Sequence, residues 1–497
     1  MPPAIRKFLL LFVGSLLFHL AGTWTLPLID RDEPRFAEAS REMLERGDYV
    51  VPYFNNRYRF DKPPLTYWFQ TVSYRLLGEN DFAARFPSAI AASLTALLIC
   101  AWGRRLGDER IGWWAAIMFT VCFQTLLHGK AAVADMWLVL FVTAAHWAGY
   151  ELLRDRLGWG EHRTSNIEHP TSNGEGAAPA ARWWWIFYLS LAFAFLAKGP
   201  VGWTPLLTIA ATMLFIPTAR LNRRFLFVTG LLVTLSIVAT WGIPALLRTN
   251  GEFFRIGIGR HVVSRSLGAM EGHGGKSLLS YLVTLPFYFV TIFLTFFPWA
   301  FSLPRLALRL WRKRDPLDNY LLAGAAVIFI AFTLVKTKLP HYTLPAFPLL
   351  ALLLAKFFIN RPDADRYVRR VALAAGCAAL LAVAATPFVA RFFISRELLL
   401  LSRQDLTPEM QFGGTRYKDP SLVWYFRKHV KGWMADLDDD EVAAFMATAG
   451  PRFVIISTAA AAELYPALPS GWKSYSARGF NTANGKRLDL TLLLKPS

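Results

Sequence analysis

Carboxylates and cations recur between the apolar runs of this chain in a pattern that could do chemistry. Asp30, Asp32 and Glu33 stand in the same segment as Asp61 and Lys62, and further on come Lys198, the pair His261 and Arg265, His273, and the stretch Lys336, Lys338, His341 and Tyr342. Asp135 sits close to the outer end of an apolar run, where an ionised group is costly unless it faces a wet cavity or a partner, so it is a functional candidate on that ground alone. One or two carboxylates among several cations suit a lipid carrying a phosphate. The cations would hold the phosphate as a leaving group and absorb its developing charge. Such a leaving group needs no proton, so a carboxylate on the opposite side is free to orient an acceptor hydroxyl or to take its proton as it attacks a sugar carbon. The chemistry implied is glycosyl transfer by a single inverting displacement through an oxocarbenium-like state.

The elements that must position these groups are membrane helices. The chain has 497 residues, is 54% hydrophobic and 15% aromatic, and has a mean hydropathy of +0.32, which a water-soluble enzyme would struggle to carry. Its net charge of +19 points at first to nucleic acid, but Lys and Arg fall in short clusters between apolar runs rather than along one face. Runs of spanning length lie near 8–28, 82–103, 111–128, 130–150, 183–198, 200–217, 225–247, 278–303, 319–335, 339–359 and 371–393, eleven in all. Arg6 and Lys7 precede the first run, which lacks a small-residue cleavage pattern and reads as a retained helix. Alternate loops carry the arginines and lysines, at 104–110, 154–182, 220–224, 305–314 and 361–370, which places those loops in the cytoplasm. The remaining segments, including 29–81, 248–277, the Lys336 to Tyr342 corner and everything after about 394, are then outside, and the chemistry-bearing residues collect on that side. The expectation is a bacterial cytoplasmic (inner) membrane protein with its active site on the periplasmic face.

Two stretches of the first outer loop read as interfacial helices. "EPRFAEASREMLERGD" sets Phe36, Ala39 and Met43 on one stripe with Arg35, Glu38, Arg41, Glu42 and Glu45 opposite, and "DKPPLTYWFQTVSYRLLG" opens on Pro63 and Pro64. The polar segment 151–182 reads as a cytoplasmic loop. The tail is no longer membrane-like: "RFVIIS" and "LDLTLLLK" read as strands and "DDDEVAAFMATAG" as a helix, so residues 1–394 are expected to form the membrane domain and 395–497 a small α/β domain outside. Cys100, Cys122 and Cys377 lie inside apolar runs without disulfide or metal spacing.

Each candidate has a plainer reading. Asp32 suits a helix cap, Lys62 an interfacial lysine, and the two lysines of "KTK" charge at a helix end. His261, His273 and His341 suit hydrogen bonding in loops better than a metal site. No cofactor is required by these residues; a divalent metal stays open, because a carboxylate pair can hold Mg²⁺.

The stretches "DRDEPRFAEASREMLERGDYVVPYFNNRYRFDKPPLTYW", "AVADMWLVLF", "LAKGPVG" and "KTKLPHYTLPAFPLLALLLA" resemble the bacterial branch of the lipid-linked glycosyltransferases, which includes the aminoarabinose transferase of lipid A and the protein O-mannosyltransferases. The resemblance covers about residues 1–360. It implies the GT-C fold, an all-α polytopic membrane protein, and a sugar donor on undecaprenyl or dolichyl phosphate, with lipid A, a protein or another envelope glycan as acceptor. It also implies that Asp32 and Asp135 are the catalytic acidic residues and that Lys62 contacts the polyprenyl phosphate, with Arg265, Tyr342 and Lys198 as further phosphate ligands. Glu33, Asp61, His261 and His341 are expected at the substrate or a metal, and Asp61 stands where the family has Glu. A transporter or lipid flippase is the rival class. It would show a repeat between halves and polar residues near the midplane, and neither is visible here.

Overall fold

The computed structural model describes residues 2–154, 177–215, 225–253, 255–257, 259 and 278–496. Every apolar run is helical within these limits, but fewer helices qualify as spans than the eleven expected. Seven are long and apolar enough to cross a membrane, or nine if two bent pairs each count once. The straight spans are α1 (Pro3–Leu20), α4 (Asp81–Arg104), α7 (Asp135–Leu153), α10 (Phe227–Arg248), Pro316–Leu334, Pro340–Phe358 and Ala364–Ala390. The run expected at 111–128 is α5 (Glu109–Val121) and α6 (Phe123–Gly129), which meet at 68° because Cys122 between them is extended. The run at 278–303 turns through 113° before its second half, Trp299–Arg312. The last two runs are α8 (Ala177–Lys198) and a shorter apolar helix over Pro200–Leu214. Apolar length alone does not distinguish a straight crossing from a bent one. Large side chains such as Leu17, Leu214, Trp311 and Leu381 stand exposed on the outside of the bundle, as lipid-facing residues do.

The first outer loop folds as α2 (Asp32–Arg46), a two-residue hairpin of β1 (Tyr53–Phe54) and β2 (Arg57–Tyr58), and α3 (Leu65–Leu77). Here the sequence expectation needs correction. The charged face of α2 does not lie toward headgroups or water: Glu38 and Glu42 are 0% exposed and Arg41 1%. The C-terminal part of the chain covers it. Arg41 donates to the Trp424 carbonyl at 3.1 Å and pairs with Glu38, while Arg427 reaches Glu38 at 2.6 Å and Glu45 at 2.9 Å. Charges on one amphipathic face can be met by water or by opposite charges from elsewhere in the fold, and helical periodicity is the same in both cases.

The covering element is a five-stranded sheet ordered β4 (Met434–Asp436), β3 (Gln411–Gly414), β5 (Arg452–Ser457), β7 (Arg487–Lys495), β6 (Lys473–Phe480). The first two pairings are parallel and the last two antiparallel. The "RFVIIS" segment is the central strand, buried over nearly its whole length. The helix Pro420–Phe426 packs between this sheet and α2, and its Trp424 and Tyr425 donate to Asp81 at the start of α4.

Asp30 lies in the same seam, with its oxygens accepting from the Ser421 amide at 2.9 Å and the Ser421 hydroxyl at 2.6 Å. Burial pushes its carboxyl from 3.8 up to about 7, and nearby Asp419 adds to the rise while the Ser421 hydrogen bonds and Arg35 oppose it. A seated Asp30 therefore binds a proton that a detached one has lost, so the seam gains stability as pH falls from about 7 toward 4 and loses it on the way back up. Melting temperatures of the full chain in detergent should fall as pH rises from about 4 to about 7, and Asp30→Asn should flatten that part of the profile. An unchanged slope in the variant would remove Asp30 from the seam's titration.

Candidate functional site

One cavity collects the polar groups of five separate segments. Asp32 and Arg35 come from the first turn of α2, Arg59, Asp61 and Lys62 from the strand-to-helix approach to α3, Asp135 from the start of α7, and Lys198 from the end of α8. Thr337, His341 and Tyr342 close it from the corner before the Pro340–Phe358 span. Its volume is about 80 Å³, room for several water-sized groups. It lies among the helix ends that the charge pattern of the loops places outside.

The pair at its base is built by local sequence rules. Asp135 is the first residue of α7 and Lys198 the last of α8, so each charge sits at the helix end whose dipole favours it. The two helices pack side by side and bring Lys198 Nζ to 2.5 Å from Asp135 Oδ1. "LAKGPVG" explains why the lysine stops there. Gly199 takes φ +80°, a conformation that side chains resist, and a Cβ on Gly202 would stand 2.5 Å from the Ala194 backbone. The chain therefore turns sharply and packs back on α8.

His341 Nε2 lies 3.9 Å from the same Asp135 oxygen, and Lys198 sits over the Tyr342 ring at 5.4 Å. His128, at the end of α6, stacks near His341 with ring centroids 4.8 Å apart and shares a 2.8 Å hydrogen bond with Gln124. His128, Asp135 and His341 each present a ligand atom within 4.8 Å of the others, so this trio is the group in the described residues that could hold a metal ion. The Lys198 ammonium already occupies one Asp135 oxygen, so an ion would share that carboxylate with a cation.

Arg59 is the residue sequence reasoning missed. Its guanidinium donates to the Tyr67 hydroxyl at 3.0 Å, pairs with Asp61 at 2.9 Å and lies over the Phe36 ring at 5.3 Å. Burial works against its charge, but Tyr67, Asp61 and Asp32 together outweigh burial and hold it above its usual range, so it is a permanent cation in the cavity wall. Its signal was the "RYRFDKPP" stretch, in which a second basic residue lies three positions before Lys62. Arg35 and His128 were likewise not singled out as site residues.

Several expected residues lie elsewhere. Asp32 makes no side-chain cap for α2; it stands exposed at the cavity. Glu33 does not reach the cavity. Its carboxylate receives Arg85 Nε at 2.8 Å and Nη2 at 2.7 Å, the Ile29 amide at 2.8 Å and the Ala132 amide at 2.7 Å, which fills its acceptor positions. Lys338 donates to the Thr333 and Val335 carbonyls at 2.6 and 2.9 Å, so it closes the end of the preceding helix, the plainer of its two readings. His261, Arg265 and His273 lie outside the described residues. A Glu33→Gln change should act as a folding defect, because it leaves the Arg85 cation without its counter-charge in the interior. Breaking such a pair costs roughly 3–5 kcal/mol, visible as a lowered melting temperature and poor yield of monodisperse protein. A stable Glu33→Gln protein lacking only donor binding would reverse this assignment.

Comparison with known proteins agrees with this architecture. Residues 61–161 match the family described as dolichyl-phosphate-mannose-protein mannosyltransferase. An undecaprenyl phosphate-alpha-4-amino-4-deoxy-L-arabinose arabinosyl transferase of Sodalis glossinidius is 32% identical over 69% of this chain and 59% of its own length. An uncharacterized protein of Aquifex aeolicus is 27% identical over 72% of this chain and 74% of its own. The chain thus matches less than two thirds of that arabinosyl transferase. Among solved structures, ArnT from Cupriavidus metallidurans bound to undecaprenyl phosphate superposes with a TM-score of 0.78, covering 98% of both chains at 19% identity. Its apo state gives 0.73 at 20% identity. The chain thus shares the fold of that ArnT structure nearly end to end, and the match to the mannosyltransferase family spans Asp61, Lys62 and Asp135 of the cavity.

Proposed function

We propose that this chain moves a sugar from a polyprenyl phosphate, of the undecaprenyl type, to an envelope acceptor such as lipid A, at the periplasmic face of the inner membrane. The observation that carries this reading is the convergence of Asp32 and Asp135 with Lys62, Lys198 and Arg59 around one cavity. The similarity to arabinosyl transferases and to an undecaprenyl-phosphate-bound structure supports the lipid class of the donor.

In this reading Lys62, Lys198, Arg59 and Tyr342 surround the donor phosphate, joined by Arg265 from the outer loop. As the bond from the anomeric carbon to the phosphate oxygen breaks, the electron pair leaves with the phosphate, and these cations take up the added charge. The acceptor oxygen forms the new bond from the opposite face, and its proton passes to a carboxylate. In this reading Asp32, exposed and lining the cavity, takes that proton. Asp135, fixed by Lys198, orients the lysine toward the phosphate and keeps the site near electrical balance before donor arrives. The mannosyltransferase match favours a second reading, with a protein as acceptor and the same donor chemistry. A transporter is less well served, since the ionisable cluster gathers at the helix ends and no repeat between halves accompanies it.

Purified protein with radiolabelled polyprenyl-phosphate sugars tests the assignment. Asp32→Asn and Asp135→Asn should lose transfer by about 10²-fold or more while still binding donor lipid. Lys62→Ala should weaken donor binding by roughly 10-fold or more, the value of a charge-assisted hydrogen bond. Wild-type rates in both aspartate variants would end the catalytic reading. Transfer measured after exhaustive chelation separates cation-only stabilisation of the phosphate from a metal held by His128, Asp135 and His341.

A further inference from the structure

A second groove lies away from the cavity, lined by Trp24 after α1, the start of α4, the helix Ile394–Ser402 and the chain from Trp424 to His429. It encloses about 390 Å³. Its wall carries Arg396, Arg403, Lys428 and His429, with the rings of Trp24 and Trp424 beside them. Two acidic residues also border it, Glu79 and Asp81, but Asp81 is already committed to the Trp424 indole and the Tyr425 hydroxyl. Lys428 spends one donor on the Glu79 carbonyl at 2.9 Å. Neither Arg396 nor Arg403 is paired with a carboxylate among the described residues.

The groove is flanked by apolar side chains turned outward. Trp24 is 62% exposed and Leu400 50%, both in the groove's lining, and Leu401, the next residue of the same helix, 45%. An indole and leucines directly beside unpaired guanidinium groups match the two halves of an amphiphile: acyl chain below and anionic headgroup above.

We infer that this groove seats the phosphate headgroup of an anionic membrane lipid of the outer leaflet, with Arg396 and Arg403 as its ligands and Trp24, Leu400 and Leu401 against its chains. The site is separate from the donor cavity and shares none of its lining residues. A seated lipid would tie the C-terminal sheet to the bilayer at a second place besides its contact with α2. Burial, followed by the positive charges of Arg403 and Lys428, holds the His429 imidazole below its usual range.

A reporter placed in the groove keeps the measurement local. Leu400→Cys in a Cys377→Ser background takes a fluorescent label, because Cys100 and Cys122 are buried. The full chain is then reconstituted in vesicles containing bromine-labelled phosphatidylglycerol or bromine-labelled phosphatidylcholine. Half-maximal quenching should come at about a tenfold lower fraction of phosphatidylglycerol than of phosphatidylcholine, as two cations near an anionic headgroup would give. Arg396→Ala with Arg403→Ala should abolish that difference without lowering the melting temperature, and Lys62→Ala should leave it intact. Equal quenching by the two lipids, a preference that survives removal of both arginines, or its complete loss in excess inorganic phosphate would each overturn the inference.

Discussion

Glu33 and Arg85 form the buried pair on which the arrangement of the site depends. The carboxylate takes two hydrogen bonds from the guanidinium and one each from the Ile29 and Ala132 amides, and Arg85 gives its remaining donors to the Thr23, Leu26 and Pro27 carbonyls. This one ion pair therefore binds the chain leaving α1, the first turn of α2, the N-terminal end of α4 and the turn that leads into α7. Asp32 is the neighbour of Glu33, and Asp135 lies three residues beyond Ala132. Two carboxylates a hundred residues apart in sequence are thus held by the same contact. Such a pair contributes little net stability over an apolar equivalent, but it tolerates few alternative geometries.

A second constraint acts from the side. Lys198 and Asp135 each end a helix at the pole that favours its charge, and the turn at Gly199 and Gly202 stops α8 where the pair can form. A site assembled from helix ends has a practical advantage in a membrane. The groups sit at the helix ends, so water can reach them while the helices themselves satisfy their own backbone groups in the hydrocarbon.

The C-terminal sheet belongs to this arrangement more closely than a hinged appendage would. Arg427 and Arg41 close over Glu38, Asn55 exchanges two hydrogen bonds with Met434, and Asp81 receives Trp424 and Tyr425. The face of α2 opposite the cavity is thereby fixed, and with it the angle at which Asp32 and Arg35 enter the site. Seam and cavity are two sides of one helix.

Much of this was written in the sequence. Apolar runs, the alternation of basic loops and the charged outer segments determined a polytopic membrane protein with its chemistry at one face, because lipid solvation and positive-inside retention act on local composition. "RFVIIS" and "LDLTLLLK" determined their strands, and the motifs around Asp32, Lys62, Asp135, Lys198, His341 and Tyr342 lie on the cavity that forms. Tertiary structure alone decided which charges meet. Glu33 and Asp32 are adjacent carboxylates, yet one is enclosed by Arg85 and the other stands exposed at the cavity. Arg59 became a cavity cation, and the polar stripe of α2 turned inward, because in each case the deciding partner comes from a distant segment. Periodicity and charge say that a residue needs a partner or water; only packing says which it receives.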